Sequence, residues 1–293
     1  MMKSQAAMEY LMTYGWAILV IAVVLAALYS LGIFNPNTFA PNTFAPKASA
    51  GSCEVVRPFG PTTTTDVHLE GTCTNMLPKY VAQFNGRSSK INVGSPTYLL
   101  SLNKTNAMTV ILWFNLNQNV QQTFIATYSD EIRIGLNAPN TFIVDWGIHS
   151  DYTYTTPLIT HAWYQVAISK TSDGTGTIYL NGNPIAVSTG LASTDIANNN
   201  PLLGIGYEIW QGTDFKYTNG SIANVQIYNT TLSANQISAL YQEGIGGDPI
   251  NPNHLVAWYP LNGNANDYSG NDYNGKAVNV GYSSTWYRTY SAP

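Results

Sequence analysis

Charge is scarce in this sequence. Asp, Glu, Lys and Arg together make up 10% of its 293 residues, against about a quarter in ordinary globular chains. The twelve Lys and Arg residues are thinly spread and the net charge is −4. There is no basic stripe to meet a phosphate backbone, and nucleic acid is excluded as a partner. Histidine is equally sparse: His68, His149, His161 and His254 show no metal-ligand spacing such as H-E-x-x-H. No G-x-S-x-G nucleophile elbow occurs. Asp130-Glu131 and Asp145 are isolated, whereas glycoside hydrolysis needs two carboxylates at a controlled separation. Each lone carboxylate is expected at a turn or on the solvated surface, and no enzyme is expected.

Cysteine is limited to Cys53 and Cys73. Two readings of the pair stand, buried thiols in a reducing compartment or a disulfide in an oxidising one; export, argued next, favours the disulfide. It would close a loop of about 20 residues, contributing roughly 3 kcal/mol in the chain-entropy picture.

One long apolar run is present. Ala17 to Phe34 carries no charge, and apolar character extends back through Trp16, Tyr14, Met12, Leu11, Tyr10 and Met8. A helix over 5–34 would be about 45 Å long, longer than the ~30 Å hydrocarbon core of a bilayer. Apolar on every side, it must lie in lipid or among copies of itself. Lys3 precedes the run and the next charge after it is Lys47, which places the N-terminus inside and the remainder outside. A cleaved secretory signal, a plain membrane anchor and an assembly helix all begin this way. Glu9 separates them, because a carboxylate opening an apolar helix is costly in lipid unless paired.

The stretch Lys3-Ser4-Gln5-Ala6-Ala7-Met8-Glu9-Tyr10-Leu11, continued by Met12-Thr13-Tyr14-Gly15-Trp16-Ala17-Ile18, resembles the class III leader and helix start of archaeal type IV pilins and archaellins. The resemblance covers roughly the first 34 residues. It implies cleavage by a prepilin peptidase between Ser4 and Gln5, and pairing of Glu9 with the α-amine of a neighbouring copy. Gly15 and the Ala residues would permit close helix approach. The resulting organisation is a leader at 1–4, an apolar helix at 5–34, a linker at 35–50 and a β domain at 51–293. The linker holds a tandem N-T-F-A-P repeat, Asn37–Pro41 and Asn42–Pro46, and reads as a semi-rigid polyproline-like spacer.

Beyond Cys53 the pattern changes to short alternating runs between Asn, Gly, Pro and Ser clusters. These predict strands at 81–84, 109–116, 123–128, 131–136, 141–146, 163–169 and 221–228, and hence a sandwich or barrel. Asn181-Gly182 between 176–180 and 185–187 predicts a hairpin. Ser233 with Gln236 forms a capping box, Gly244 is a C-terminal stop, and one short helix is expected between them.

Phe84-Asn85-Gly86, Trp113-Phe114, Trp163-Tyr164-Gln165-Val166, Ile178-Tyr179-Leu180-Asn181-Gly182 and Leu232-Ser233-Ala234 together resemble the laminin-G-like, concanavalin A-like jelly roll. They fit one domain over roughly 80–245. The predicted fold class is therefore mainly β: a long apolar N-terminal helix, then an antiparallel sandwich with one short helix. Leu255–Gly263, with Asp267-Tyr268-Ser269-Gly270-Asn271 after it, looks like the opening strand of such a domain placed last. The segment 251–293 then supplies that strand in permuted order, or donates it to a neighbouring subunit.

Three kinds of site follow. Asp267, Ser269, Asn271 and Asp272 gather oxygen ligands of the kind Ca²⁺ takes, and an Asx-rich turn without an ion accounts for the same residues. Trp146, Tyr152, Tyr154 and Trp210, in or beside loop-like stretches, are candidate sugar-stacking residues, or else core and filament contacts. Asn103, Asn219 and Asn229 head glycosylation sequons. The leading expectation is a filament subunit whose partners are copies of itself, with the membrane as host before assembly. The alternative is a membrane-tethered, lectin-like receptor or tip adhesin that binds surface glycans.

Overall fold

The computed structural model describes residues 19–24, 53–56, 68–71, 77–96, 107–127, 132–146, 151–189, 202–210 and 212–293. The chain divides into two units, 1–47 with 59–61 and 48–58 with 62–293. Residues 19–24 are helical, and Leu19, Val20, Ile21, Val23 and Val24 each expose about half their surface there. The remainder of the expected 5–34 helix, with Ser4, Gln5, Glu9 and Gly15, lies outside the described residues. Among those described, no helix is long and apolar enough to cross a membrane.

Nineteen strands are described. β1 (Cys53–Val56) and β2 (His68–Gly71) form a two-stranded ribbon. Then follow β3 (Val81–Asn85), β4 (Lys90–Gly94), β5 (Met108–Leu116), β6 (Gln122–Thr127), β7 (Ile132–Ala138), β8 (Thr141–Trp146) and β9 (Asp151–Thr155). Next come β10 (Trp163–Lys170), β11 (Gly176–Leu180), β12 (Asn183–Ser188), β13 (Leu203–Ile205), β14 (Glu208–Trp210), β15 (Thr213–Phe215) and β16 (Asn219–Tyr228). Helix α1 (Ala234–Gln242) precedes β17 (Leu255–Tyr259), β18 (Lys276–Val278) and β19 (Gly281–Ser283).

Two antiparallel sheets face each other. One has the order β12-β11-β10-β5-β16-β3-β19, with β17 also on β16; the other runs β18-β4-β13-β6-β7-β8-β9. Their inner faces share one core that includes Leu112, Phe114, Phe124, Ile134, Phe142, Val166 and Ile222. Every residue of β5 is buried, so it reads as a continuous apolar run and not as an alternation. The reason is a cover on its outer side. Ile111 packs with Ile237 and Leu240 of α1, and Trp113 and Trp163 pack with Ile245 and Trp286. The Trp113 ring stacks on Tyr241 at 5.7 Å.

The local signals fall where their chemistry puts them. Asn181 and Gly182 both take positive φ, 51° and 74°, the conformation a two-residue hairpin turn demands. Ser233 Oγ accepts the Gln236 N–H while the Gln236 side chain accepts the Ser233 N–H. The C-terminal segment pairs within its own chain: β17 on β16, β18 on β4 and β19 on β3. Because β18 and β19 join opposite sheets, a single short corner closes that side of the sandwich. On the far side, the Tyr152 hydroxyl of edge strand β9 donates to Val187 O of edge strand β12 at 3.4 Å.

Candidate functional site

Among the described residues, four ion pairs gather in one place. On β7, Ile132, Ile134 and Leu136 point into the core, so Arg133 faces the opposite side of the sheet. On β8 the same alternation turns Asp145 outward, directly across from Arg133. The hairpin β14–β15 lies over this outer face and brings Glu208. Arg133 Nε pairs with Asp145 Oδ2, and Arg133 Nη1 donates to Glu208 Oε2 at 2.9 Å. Lys216 Nζ donates to Glu208 Oε1 at 2.8 Å, and Thr123 Oγ1 donates to Glu208 Oε2 at 2.9 Å. Arg133, Asp145 and Glu208 are all buried. Lys216 is held at φ 47°, in the left-handed region a side chain rarely takes without compensation. Asp145, expected on the solvated surface, is instead inside an ion network: a charge within an apolar strand survives only with a partner.

Beside this lock lies a more open group. Ile91 faces the core, so its neighbour Lys90 faces outward. Lys90 Nζ pairs with Asp214 Oδ2 of β15, with both side chains 26% exposed, and stands 5.4 Å from the centre of the Tyr207 ring. Tyr207 is buried and its ring fills the space over Gly204, where a Cβ would collide with it. Tyr217 stacks on Tyr207 at 6.2 Å and 17° and is half-buried. Burial raises the Tyr207 hydroxyl above its ordinary pKa, and the Asp214 charge adds to the shift. Tyr217 is raised for the same two reasons, with Lys90 opposing.

The expected site residues are dispersed. Tyr152 and Tyr154 belong to strand β9 and not to a loop. They stand opposite Val144 and Phe142 and pack, half-buried, against the core, on the inward side of the edge strand. Trp146 ends β8 in register with Ile132, and Trp210 ends β14 in register with Thr213, at the hairpin turn. Their side chains lie outside the described set.

Cys53 is disulfide-bonded, and the one other cysteine in the chain is Cys73, itself outside the described residues with Asn103. Asn219 Oδ1 accepts from Asn117 Nδ2, and Asn229 Oδ1 lies 3.0 Å from His254 Nδ1.

Asp267 organises its turn. Oδ1 accepts from the Trp258 and Ser269 N–H groups, and Oδ2 accepts from Ser269 Oγ and the Tyr273 N–H. Burial pushes its carboxyl up, and these hydrogen bonds oppose the shift. Asn271 Nδ2 is committed to Val256 O and Ser269 Oγ, and Asp272 Oδ1 accepts from Asn274 Nδ2 at 3.4 Å. Among the described residues, no group of three His, Cys, Asp or Glu could hold a metal ion.

Two antiparallel sheets enclosing one core, capped by a short helix, define a jelly-roll sandwich of the lectin type. Residues 85–238 match the concanavalin A-like lectin/glucanases superfamily model of laminin-G type, and the chain belongs to that superfamily. No curated protein matches it in sequence. Among solved structures, it is similar to a candidate carbohydrate binding protein from Bacteroides ovatus, with a TM-score of 0.54 at 18% identity over 80% of this chain and 70% of that one. A heptameric SAP-like pentraxin from Limulus polyphemus aligns at 0.49 and 14% identity, over 69% and 94%. The CBM40 of a Ruminococcus gnavus IT-sialidase aligns at 0.43 and 16%, over 57% and 97%. At such identities the shared property is the fold.

Proposed function

We propose that the chain is a carbohydrate-binding surface protein: a lectin-like jelly roll carried outside the cell on its apolar N-terminal segment. The observation that carries this reading is the built polar group on the outer face of the β18–β9 sheet. A chain with so little charge has placed ion pairs and stacked aromatics there, outside its core. Burying such pairs contributes little stability relative to apolar packing, so their role is to fix geometry. The superfamily, and the fold shared with the Bacteroides ovatus protein, agree with a glycan as the ligand. Hydrolysis does not enter the reading, since Asp145 and Glu208 are both tied to Arg133 beneath the hairpin and neither is free to act as a general acid. The test is a glycan-array screen of the full-length chain, solubilised in a detergent without a sugar head group. Saturable, selective binding supports the reading, and uniform background contradicts it.

A second reading, the pilin-like filament subunit, is favoured by residues 19–24, a helical turn whose apolar side chains are exposed on every side and must find lipid or other helices. Here prepilin peptidase cuts between Ser4 and Gln5, and Glu9 pairs with the amine of the next copy. Mass spectrometry of sheared cell-surface material reads this directly. A peptide beginning at Gln5 supports it, and an intact Met1 terminus confined to membranes contradicts it.

A further inference from the structure

We propose that Asp214 and Tyr217, with Lys90 orienting the carboxylate, form the primary subsite for a neutral hexose bearing adjacent hydroxyl groups. The proposal deepens the carbohydrate-binding reading and rests on it. None of these three residues stands out in the sequence: β4, β15 and the segment after β15 bring them together only in the folded sheet.

Each part has a chemical task. Sugar recognition needs an apolar plate for the C–H face of the ring and fixed acceptors for its hydroxyls. Tyr217 supplies the plate. Its ring is half-buried, and its stacking on the buried Tyr207 ring holds it in one orientation, so little freedom is lost when a ligand docks. Asp214 supplies the acceptor. Its carboxylate is 26% exposed and anchored on one oxygen by Lys90, and two adjacent hydroxyls can donate to a carboxylate side by side. Lys90 is itself fixed over Tyr207, so the carboxylate cannot swing away.

The local charge selects the class of sugar. The Lys90 ammonium is already matched by Asp214, and the Lys216 ammonium by Glu208. A carboxylated sugar would meet the Asp214 charge with no unmatched cation beside it among the described residues, whereas a neutral hexose offers hydroxyl donors. Beside Asp214, Gly212 and Thr213 are exposed.

The experiment measures binding of methyl glucoside, galactoside and mannoside, and of glucuronic and sialic acids, to the full-length chain in a detergent lacking a sugar head group. It is repeated on Asp214→Asn, Tyr217→Ala, Lys90→Met and Lys90→Arg. All three positions are partly exposed, and a thermal melt of each variant establishes that it is folded. The expected result is binding of at least one neutral hexoside, weakened about tenfold or more by Asp214→Asn and by Tyr217→Ala. Lys90→Met weakens it less, and Lys90→Arg restores it. Undiminished hexoside binding in folded Asp214→Asn and Tyr217→Ala would overturn the subsite while leaving the carbohydrate reading intact. Binding confined to the acidic sugars would overturn the ligand class. A parent chain that binds none of them, and nothing on the wider array, would overturn both.

Discussion

Tyr282 illustrates how a single group can work against the fold. It packs against the sandwich core, yet its hydroxyl is buried without a hydrogen-bond partner. Such a group bears its full desolvation cost, and burial alone raises its pKa. Tyr282→Phe should therefore leave stability unchanged or raise it by about 1 kcal/mol, as read by urea unfolding. A loss of more than that would mean that the hydroxyl has a partner. Asp248 is a second residue under tension. Burial first, and the Glu243 charge second, push its carboxyl up to about 7. Its folded pKa thus exceeds the unfolded value of 3.8, and the ionised form is the disfavoured one. The stability it contributes is whole below about pH 4 and is lost as pH rises toward 7. Asp248→Asn should match the parent near pH 4 and exceed it by about 1 kcal/mol at pH 8, after allowance for solvent screening of this half-exposed group. Parallel stability profiles across that range would refute the assignment.

At the scale of elements, the hairpin β14–β15 depends on Arg133. Arg133→Met leaves Asp145 and Glu208 buried with one cation fewer, and should cost about 3–5 kcal/mol. Replacing all three by apolar residues of similar volume should cost much less, because no orphaned charge remains. Hydrogen exchange across 208–217 distinguishes this from a general loosening: the single variant should lose protection there first. An even loss over both sheets would argue that Arg133 is simply part of the core.

The central strands were legible in the sequence because their burial is repetitive. Thr109–Leu116 and Trp163–Ser169 predict β5 and β10 to within a residue, and the Asn181-Gly182 turn and the Ser233 cap are encoded by adjacent residues. The hairpin β14–β15 and its lock were not legible. Arg133 and Glu208 are 75 residues apart, and three-residue strands carry too little periodicity to register. A signal was nonetheless present. Arg133 sits within Ile132-Arg133-Ile134, Asp145 within Val144-Asp145-Trp146, and Glu208 within Tyr207-Glu208-Ile209. A lone charge inside an apolar strand in so uncharged a chain must have a partner elsewhere. The two Tyr residues of β9 carry a similar signal: in Asp151-Tyr152-Thr153-Tyr154-Thr155 the polar residues alternate with the tyrosines, the pattern of a half-buried strand whose aromatic side faces inward.

Across the whole molecule, the C-terminal segment closes the sandwich. It supplies an edge strand to each sheet, and Trp286 covers Trp163 at 6.1 Å while its Nε1 donates to Pro78 O at 3.0 Å. Ending the chain at residue 275 should uncover Trp113 and Trp163 together, abolish cooperative unfolding and produce strong binding of an apolar dye. A sharp melt retained in the shortened chain would show that the segment is an accessory. On the proposed reading, glycan binding falls to the outer face of the sheet opposite that cover. The most direct measurement is binding of the full-length chain to a glycan array in a detergent without a sugar head group. The account predicts selective, saturable binding of neutral glycans that free hexosides compete away. Signal no higher than background on every glycan, from chain shown to be folded, would contradict it.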